Sequence, residues 1–447
     1  MAVPVAPTAQ PHPSPEATET SETSQASEAS QAALLGLFPP GSALAEDGGL
    51  VIGGCRATDL AERFGTPALI VDESALRDRA RRYARGLAAR WANSRVAFAS
   101  KAFPCTAVYR LLAEEGLSID VASGGELTLA LAGGVDPASL VVHGNAKTDA
   151  ELRMAVEAGA GLVVIDNFDD IDRLERIVPG SAEQPVLVRV TPGIRPDTHA
   201  AVATGQEGSK FGLTLPQARK AIARLRGSDR LRLDGVHVHI GSQILDTDPF
   251  ARAVEAVAGL GAFAVYDLGG GLGARYTYDD HPPSVEEYLD TLVGAARRVL
   301  PADAQIVIEP GRSMVAEAGV TLYRVVTVKR GEPTFVAVDG GMGDNLEVAL
   351  YGQRFEATVV TRVGGGDPCH LVGRHCESGD SLSTGVRLRD PRPGDVIAVP
   401  ATGAYCFSLS NNYNGALRPP VVFCADGDAR AVVRRETYDD LLRRDIA

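Results

Sequence analysis

The sequence predicts an α/β protein, a (β/α)8 barrel joined to a second, mostly antiparallel β domain. Three observations lead there. Between about residues 95 and 310, eight short Val/Ile/Leu-rich runs alternate with amphipathic stretches, a span close to the roughly 250 residues of one such barrel. Residues able to do chemistry fall at the C-terminal ends of several different runs, which favours a barrel over a doubly wound open sheet. After residue 315 the helical periods fade, and short runs broken by Gly, Pro and Asp take over.

Taken in order, residues 1–32 stand apart. They are rich in Ala, Ser, Thr, Glu, Gln and Pro and contain no Lys or Arg, the first of which in the chain is Arg56. Secretory and transit signals need early positive charge, so neither is expected. Few large apolar side chains are present to offset the entropy of ordering, so 1–32 is expected to be a disordered tail. Residues 33–67 read as an N-terminal segment joining the β domain, with Leu50–Ile52 as its strand and Ala57–Phe64 as a helix. Thr66–Asp72 reads as the crossing into a barrel spanning 68–315. The barrel strands are expected to end at Phe103, Val121, His143, Asp166, Val190, His239, Leu268 and Glu309, with helices such as Asp149–Ala158 and Val285–Leu300 between them. The β domain is expected over 316–447, with strands at Val320–Lys329, Thr334–Val338, His370–Val372 and Val396–Val399.

Composition narrows the function. The net charge of −13 argues against a nucleic-acid partner, because phosphate backbones call for basic surface. No apolar stretch is long enough to span a bilayer. The six cysteines lack metal-ligand or disulfide-framework spacing, so free thiols, a reducing cytoplasm and no metal are expected.

The chemistry centres on three groups. Lys101 closes the run Val96–Lys101. A partly desolvated lysine there could hold an aldehyde cofactor as a Schiff base, or be a solvated strand end. Glu309, in Glu309-Pro310-Gly311-Arg312, follows the run Gln305–Ile308. A carboxylate beside a cofactor ring nitrogen would keep it protonated and ready to absorb the electrons left by lost carbon dioxide. The bland alternative pairs Glu309 with Arg312, itself able to grip a phosphate or a substrate carboxylate. Cys376, beside Glu377, could deliver a proton, although a cysteine in a β domain is more often a small buried hydrophobe. Together these are the parts of a pyridoxal-phosphate decarboxylase. Elsewhere, His237 and His239 alternate with Val and share a strand face, as site residues or as hydrogen-bonded core histidines. Gly269-Gly270-Gly271 lets backbone N–H groups close on a phosphate, or simply turns.

With these motifs in this order, the chain from about residue 34 onward resembles the diaminopimelate decarboxylase family, within the alanine-racemase-like class of pyridoxal enzymes. His143–Thr148, Gly208–Gly212 and Asn412–Gly415 also look like family segments. The resemblance implies pyridoxal 5'-phosphate on Lys101, with His239 stacked on the ring and Glu309 at the ring nitrogen. It implies a phosphate site from Ser242, Gly269, Gly270, Gly271, Gly311, Arg312 and Tyr405. It places the substrate against Arg312, Glu347, Tyr351, Glu377 and Tyr405, with Cys376 and Glu377 supplied by the second chain of a homodimer. The implied reaction converts meso-diaminopimelate to L-lysine and carbon dioxide in lysine biosynthesis. The racemases of the class resemble the chain less, because they place an arginine where Glu309 stands, and a non-catalytic pyridoxal-binding protein would not need all three catalytic groups.

Two departures bear on the substrate. The family's Asp-Asn-Pro-Arg-Pro becomes Asp344-Asn345-Leu346-Glu347-Val348, so Glu347 stands where an arginine helps bind the distal carboxylate. An unscreened like-charge contact near ~4 Å costs on the order of several kcal/mol at intermediate dielectric. A paralogue acting on a different basic or conjugated amino acid is therefore the alternative. The stretch between the sixth and seventh strands, Asp248–Gly261, is also short for the family.

Overall fold

The structure, a computed structural model, describes residues 31–195, 205 and 208–446. The expected tail lies outside the described residues as far as position 30. Positions 31 and 32 already belong to a helical stretch ending at residue 35. There the Gln31 side-chain amide donates to the Val363 carbonyl at 3.0 Å. Burial of Leu34, Leu37 and Phe38 just beyond it orders the chain.

Eight parallel strands close into the barrel: β1 (Ser94–Ala99), β2 (Ser118–Val121), β3 (Leu140–Val142), β4 (Leu162–Ile165), β5 (Gln184–Val190), β6 (Leu231–Val238), β7 (Val265–Asp267) and β8 (Gln305–Ile308). β8 pairs with β1 to complete the ring. All eight expected strands are present, most ending within one residue of expectation. β1 differs: it stops at Ala99, and Ser100–Ala102 tightens into a 3-10 turn. Lys101 therefore rides on a turn above the strand. The helices follow local signals. Asp149–Ala158 starts in a capping box of Thr148 with Glu151, and Val285–Val299 in one of Ser284 with Glu287.

The second domain is a nine-stranded sheet. Its spine, Gly319–Lys329, runs antiparallel to Ala68–Asp72, Val396–Pro400 and Phe335–Val338. Two pairings are parallel, Val421–Ala425 with Ala68–Asp72 and Phe335–Val338 with Asp367–Val372. Here the sequence reading needs correction. Ala68–Asp72 is no crossing into the barrel. Five buried residues in a row make it a central strand of the second sheet, so the barrel does not begin at 68. Leu50–Ile52 belongs instead to a small three-stranded sheet with Ala43–Leu44 and Cys55–Arg56. It reaches the domain through packing, since Leu50 and Ile52 share a core with Leu322, Val396 and Val422. Ser381–Leu388, Val421–Ala425 and Asp428–Val433 are strands not singled out in the sequence.

Candidate active site

Strand alternation builds the site. Ala97, Val141, Leu162, Val164, Leu187, Val265 and Val307 pack as a distinct buried cluster. All lie on barrel strands and share the inward face. Two residues further along each strand the same face continues. That step reaches Ala99 on β1, His143 after β3, Asp166 after β4, Arg189 on β5, Asp267 on β7 and Glu309 after β8. His237 stands between Arg189 and Asp267 in the ladder, and Asp120 beside Ala99. Within one step the barrel interior changes from aliphatic to ionisable.

Above this layer lies a cleft lined by Lys101, His239, Ser242, Gly271, Glu309, Gly311, Arg312 and Tyr405, together with Asp120, His143, Arg189 and His237. Lys101 is exposed to it, where partial desolvation was expected. Glu309 forms the floor. His143 Nε2 lies 2.6 Å from its Oε1, and His237 Nε2 3.1 Å from its Oε2. The bland pairing of Glu309 with Arg312 is thus replaced by a pairing with two imidazoles. Burial alone would raise the Glu309 carboxyl. The imidazoles outweigh burial and hold it well below the usual carboxylate range. Burial, with the Glu309 charge, pushes Asp267 well above that range. Burial lifts Asp120 to about 7 against the pull of His143. It drives His237 down to about 4. For His143 burial works downward, but Glu309 and Asp120 raise it.

His239 keeps its proton-free Nδ1 toward the Gly270 N–H, which donates to it at 3.3 Å. The Gly269 N–H donates to Asp267 Oδ1 at 3.0 Å. These two glycines therefore direct their N–H groups into the protein, and of the three only Gly271 lines the cleft. Their lack of a side chain is still required. A Cβ on Gly270 would lie 2.0 Å from the Glu309 carbonyl oxygen, and Gly269 has φ +64°.

Arg312 is buried at the cleft wall. Its Nη1 lies 3.0 Å from Glu347 Oε1 and also donates to the Tyr276 hydroxyl, while its Nε donates to Ser242 Oγ at 3.1 Å. The Tyr405 ring covers the guanidinium at 4.6 Å. Glu347 is almost fully enclosed and does not line the cleft. Burial raises its carboxyl against the pull of Arg312. Arg354, the next arginine along the chain from Glu347, is an exposed side chain paired with Asp279. Tyr351 ends the short helix Glu347–Tyr351 and is half-buried outside the lining.

The structure does not bring Cys376 and Glu377 to Lys101 within one chain. Both are exposed, on a loop anchored by Asp380, whose Oδ2 accepts from the His375 N–H at 2.7 Å. Asp120, His143, Arg189 and Asp267 carry no role in the sequence reading. The signal was present: each stands at an inward position just after a hydrophobic strand residue. The ligand atoms of His143, His237, Asp267 and Glu309 lie within 4.8 Å of one another. With both Glu309 oxygens already facing imidazoles, the arrangement suits shared protons better than a cation.

The barrel matches the family model for the pyridoxal-dependent decarboxylase, pyridoxal binding domain, over residues 73–316. The diaminopimelate decarboxylase of Actinosynnema pretiosum subsp. auranticum is 47% identical over 431 residues, covering 92% of this chain and 95% of that one. The chain belongs to the diaminopimelate decarboxylase family. The family's Bacillus subtilis member is 42% identical over 421 residues, with 90% and 96% covered. A solved diaminopimelate decarboxylase from M. jannaschii, in complex with L-lysine, superposes with TM-score 0.85 at 30% identity, covering 92% of this chain and 98% of that one. Pyridoxal phosphate is thus the cofactor, and the cleft fits it. The Lys101 amine, the Glu309 carboxylate floor and glycines such as Gly271 and Gly311 line one cavity.

Proposed function

We propose that the chain decarboxylates meso-diaminopimelate to L-lysine and carbon dioxide. The observation that carries this reading is the Lys101 amine and the Glu309 carboxylate in one cleft, within a family of that activity. When bound, pyridoxal phosphate supplies the electron sink for the pair released as the carboxylate leaves. Lys101 supplies the amine that holds it. Glu309, held as an anion, would face the ring nitrogen. His239 would pack on the ring, and Gly271, Ser242, Gly311 and Tyr405 would receive the phosphate. Arg312 and Tyr351 meet the distal carboxylate of the substrate. Cys376 protonates the substrate carbon and Glu377 meets the distal ammonium, both from a second subunit. Their exposure in one chain, away from the cleft, supports a homodimer with shared sites. Among the described residues no helix is long and apolar enough to cross a membrane. The six free cysteines support a reducing, cytoplasmic setting.

The buried Glu347–Arg312 pair favours a second reading. With Arg312 already neutralised, a basic or conjugated amino acid lacking a free distal carboxylate would suit the site. Carbon dioxide release across meso-diaminopimelate, lysine, ornithine and arginine tests both. A kcat/KM highest for meso-diaminopimelate is expected, and a clear preference for a substrate without the distal carboxylate would overturn the first reading.

A further inference from the structure

The floor of the cleft holds more ionisable groups than the reaction above employs. Glu309 meets His143 from the end of β3 and His237 from β6, with the imidazoles 4.7 Å apart and edge to face. Asp267 comes from β7. Asp120 on β2 stands 3.9 Å from His143 Nε2. Arg189 on β5 completes the ring of charge, and Lys101 and His239 stand at the rim of the same cleft.

Hydrogen-bond supply and demand assign the protons. Each Glu309 oxygen faces one imidazole N–H, and a carboxylate has about four lone-pair sites, so others remain free. Asp267 is completely buried. Its Oδ1 accepts from the Gly269 N–H, and its Oδ2 has no hydrogen-bond partner. A buried carboxylate oxygen left bare is strongly disfavoured, whereas a protonated one becomes a donor to the neighbouring Glu309 anion. Burial and the Glu309 charge push the Asp267 carboxyl in that direction. Glu309 is then surrounded by donors: His143, His237 and a neutral Asp267. A carboxylate so supported is hard to protonate, so a proton shared with a ring nitrogen rests on the nitrogen.

We propose that His143 and Asp267 are positioning residues that act through Glu309, holding it as the anion that keeps the cofactor ring nitrogen protonated, with Asp267 serving as a neutral donor. The inference rests on the role of Glu309 proposed above.

The test uses 4-deoxypyridoxine 5'-phosphate, which lacks the aldehyde and cannot bond to Lys101. Its ultraviolet spectrum reports ring protonation without turnover. The bound analogue is titrated from roughly pH 6 to pH 9 in the wild-type protein, Glu309→Gln, His143→Leu, His143→Gln, Asp267→Ala and Asp267→Asn. In the wild type the ring-protonated spectrum persists to the top of the range. His143→Leu and Asp267→Ala bring the transition down by about one pH unit or more. His143→Gln and Asp267→Asn, which keep an N–H donor, titrate as the wild type does. Should the Leu and Ala variants fail to fold, the Gln and Asn variants decide. A lowered transition in Asp267→Asn overturns the assignment of Asp267 as neutral, and one in His143→Gln overturns the donor role of His143. Unmoved transitions in His143→Leu and Asp267→Ala overturn the proposal while Glu309→Gln still lowers its own. An unmoved transition in Glu309→Gln overturns the underlying reading of Glu309 as well.

Discussion

Replacing Glu347 with glutamine removes the carboxylate that faces Arg312 and leaves the shape of the wall intact. At the observed 3.0 Å, the pair interacts by about 5.5 kcal/mol at an effective dielectric of about 20. Breaking a buried pair by deleting one partner typically costs ~3–5 kcal/mol, because the remaining charge is left uncompensated. Arg312 keeps the Tyr276 hydroxyl, Ser242 and the Tyr405 ring, so the low end, about 3 kcal/mol, is expected for the ligand-free protein. A substrate with a free distal carboxylate can restore a negative charge beside Arg312, which lines the cleft. If it recovers about half of that cost, KM for meso-diaminopimelate falls roughly tenfold, since 1.4 kcal/mol is a factor of ten. Arg312 would hold that carboxylate equally in ground and transition states, so kcat should change little. Lysine, which lacks the carboxylate, should bind no better. Steady-state kinetics with meso-diaminopimelate, product inhibition by lysine and thermal melts of both proteins give the three readings. A KM for meso-diaminopimelate that stays put or rises in Glu347→Gln, or an equal gain for lysine, would refute the reasoning.

Three further expectations follow from the geometry. Lys101→Ala should abolish decarboxylation, and borohydride treatment should fix cofactor mass to the Lys101 peptide of the wild type; an active Lys101→Ala protein would contradict this. Mixing Lys101→Ala with Cys376→Ala chains should recover roughly a quarter of wild-type activity through mixed dimers, and no recovery despite proven subunit exchange would exclude a shared site. Asp120→Asn should stabilise the cofactor-free protein more at pH 8 than at pH 5. The wild-type carboxyl is raised from 3.8 to about 7, so the native state binds more protons than the unfolded one in that window and loses stability as pH rises through it. Melting curves at both pH values check the sign, and a difference independent of pH would count against a protonated Asp120.

The barrel was legible because its signals are local. Each strand is an apolar run, and several of the helices begin with a cap, such as Thr148 or Ser284. Ala68–Asp72 was misplaced because an isolated apolar run does not say which sheet it joins, and its neighbours in the sheet lie some 250 residues downstream, at Gly319–Lys329. Lys101 and Glu309 could be picked out by residue type and position. The partners of Glu309 could not, since His143 and His237 meet it only when the barrel closes. The Glu347–Arg312 contact was equally hidden, as it joins a helix of the second domain to the rim of the barrel. The glycine run was only half readable. Sequence announces the close backbone approach but not that Gly269 and Gly270 aim their N–H groups at Asp267 and His239.

The pairing of Ala68–Asp72 with Gly319–Lys329 has a consequence for how the molecule is held together. These strands are immediate neighbours, with Val71 opposite Gly319, and the entire barrel is the connection between them. Topologically the barrel is a loop whose two ends are buttoned side by side into another sheet. Closing so long a loop carries an entropic cost that grows only slowly with length, but the button cannot fasten until the loop's ends have been brought together. The central ladder of the second sheet is therefore a long-range contact that comes late in assembly. A chain cut off just past the barrel would leave Ala68–Asp72 without its partners, an apolar edge open to other chains. Once fastened, the seam holds both ends of the barrel on adjoining strands of the second sheet. That seam fixes where the wall bearing Glu347 can meet the barrel rim bearing Arg312.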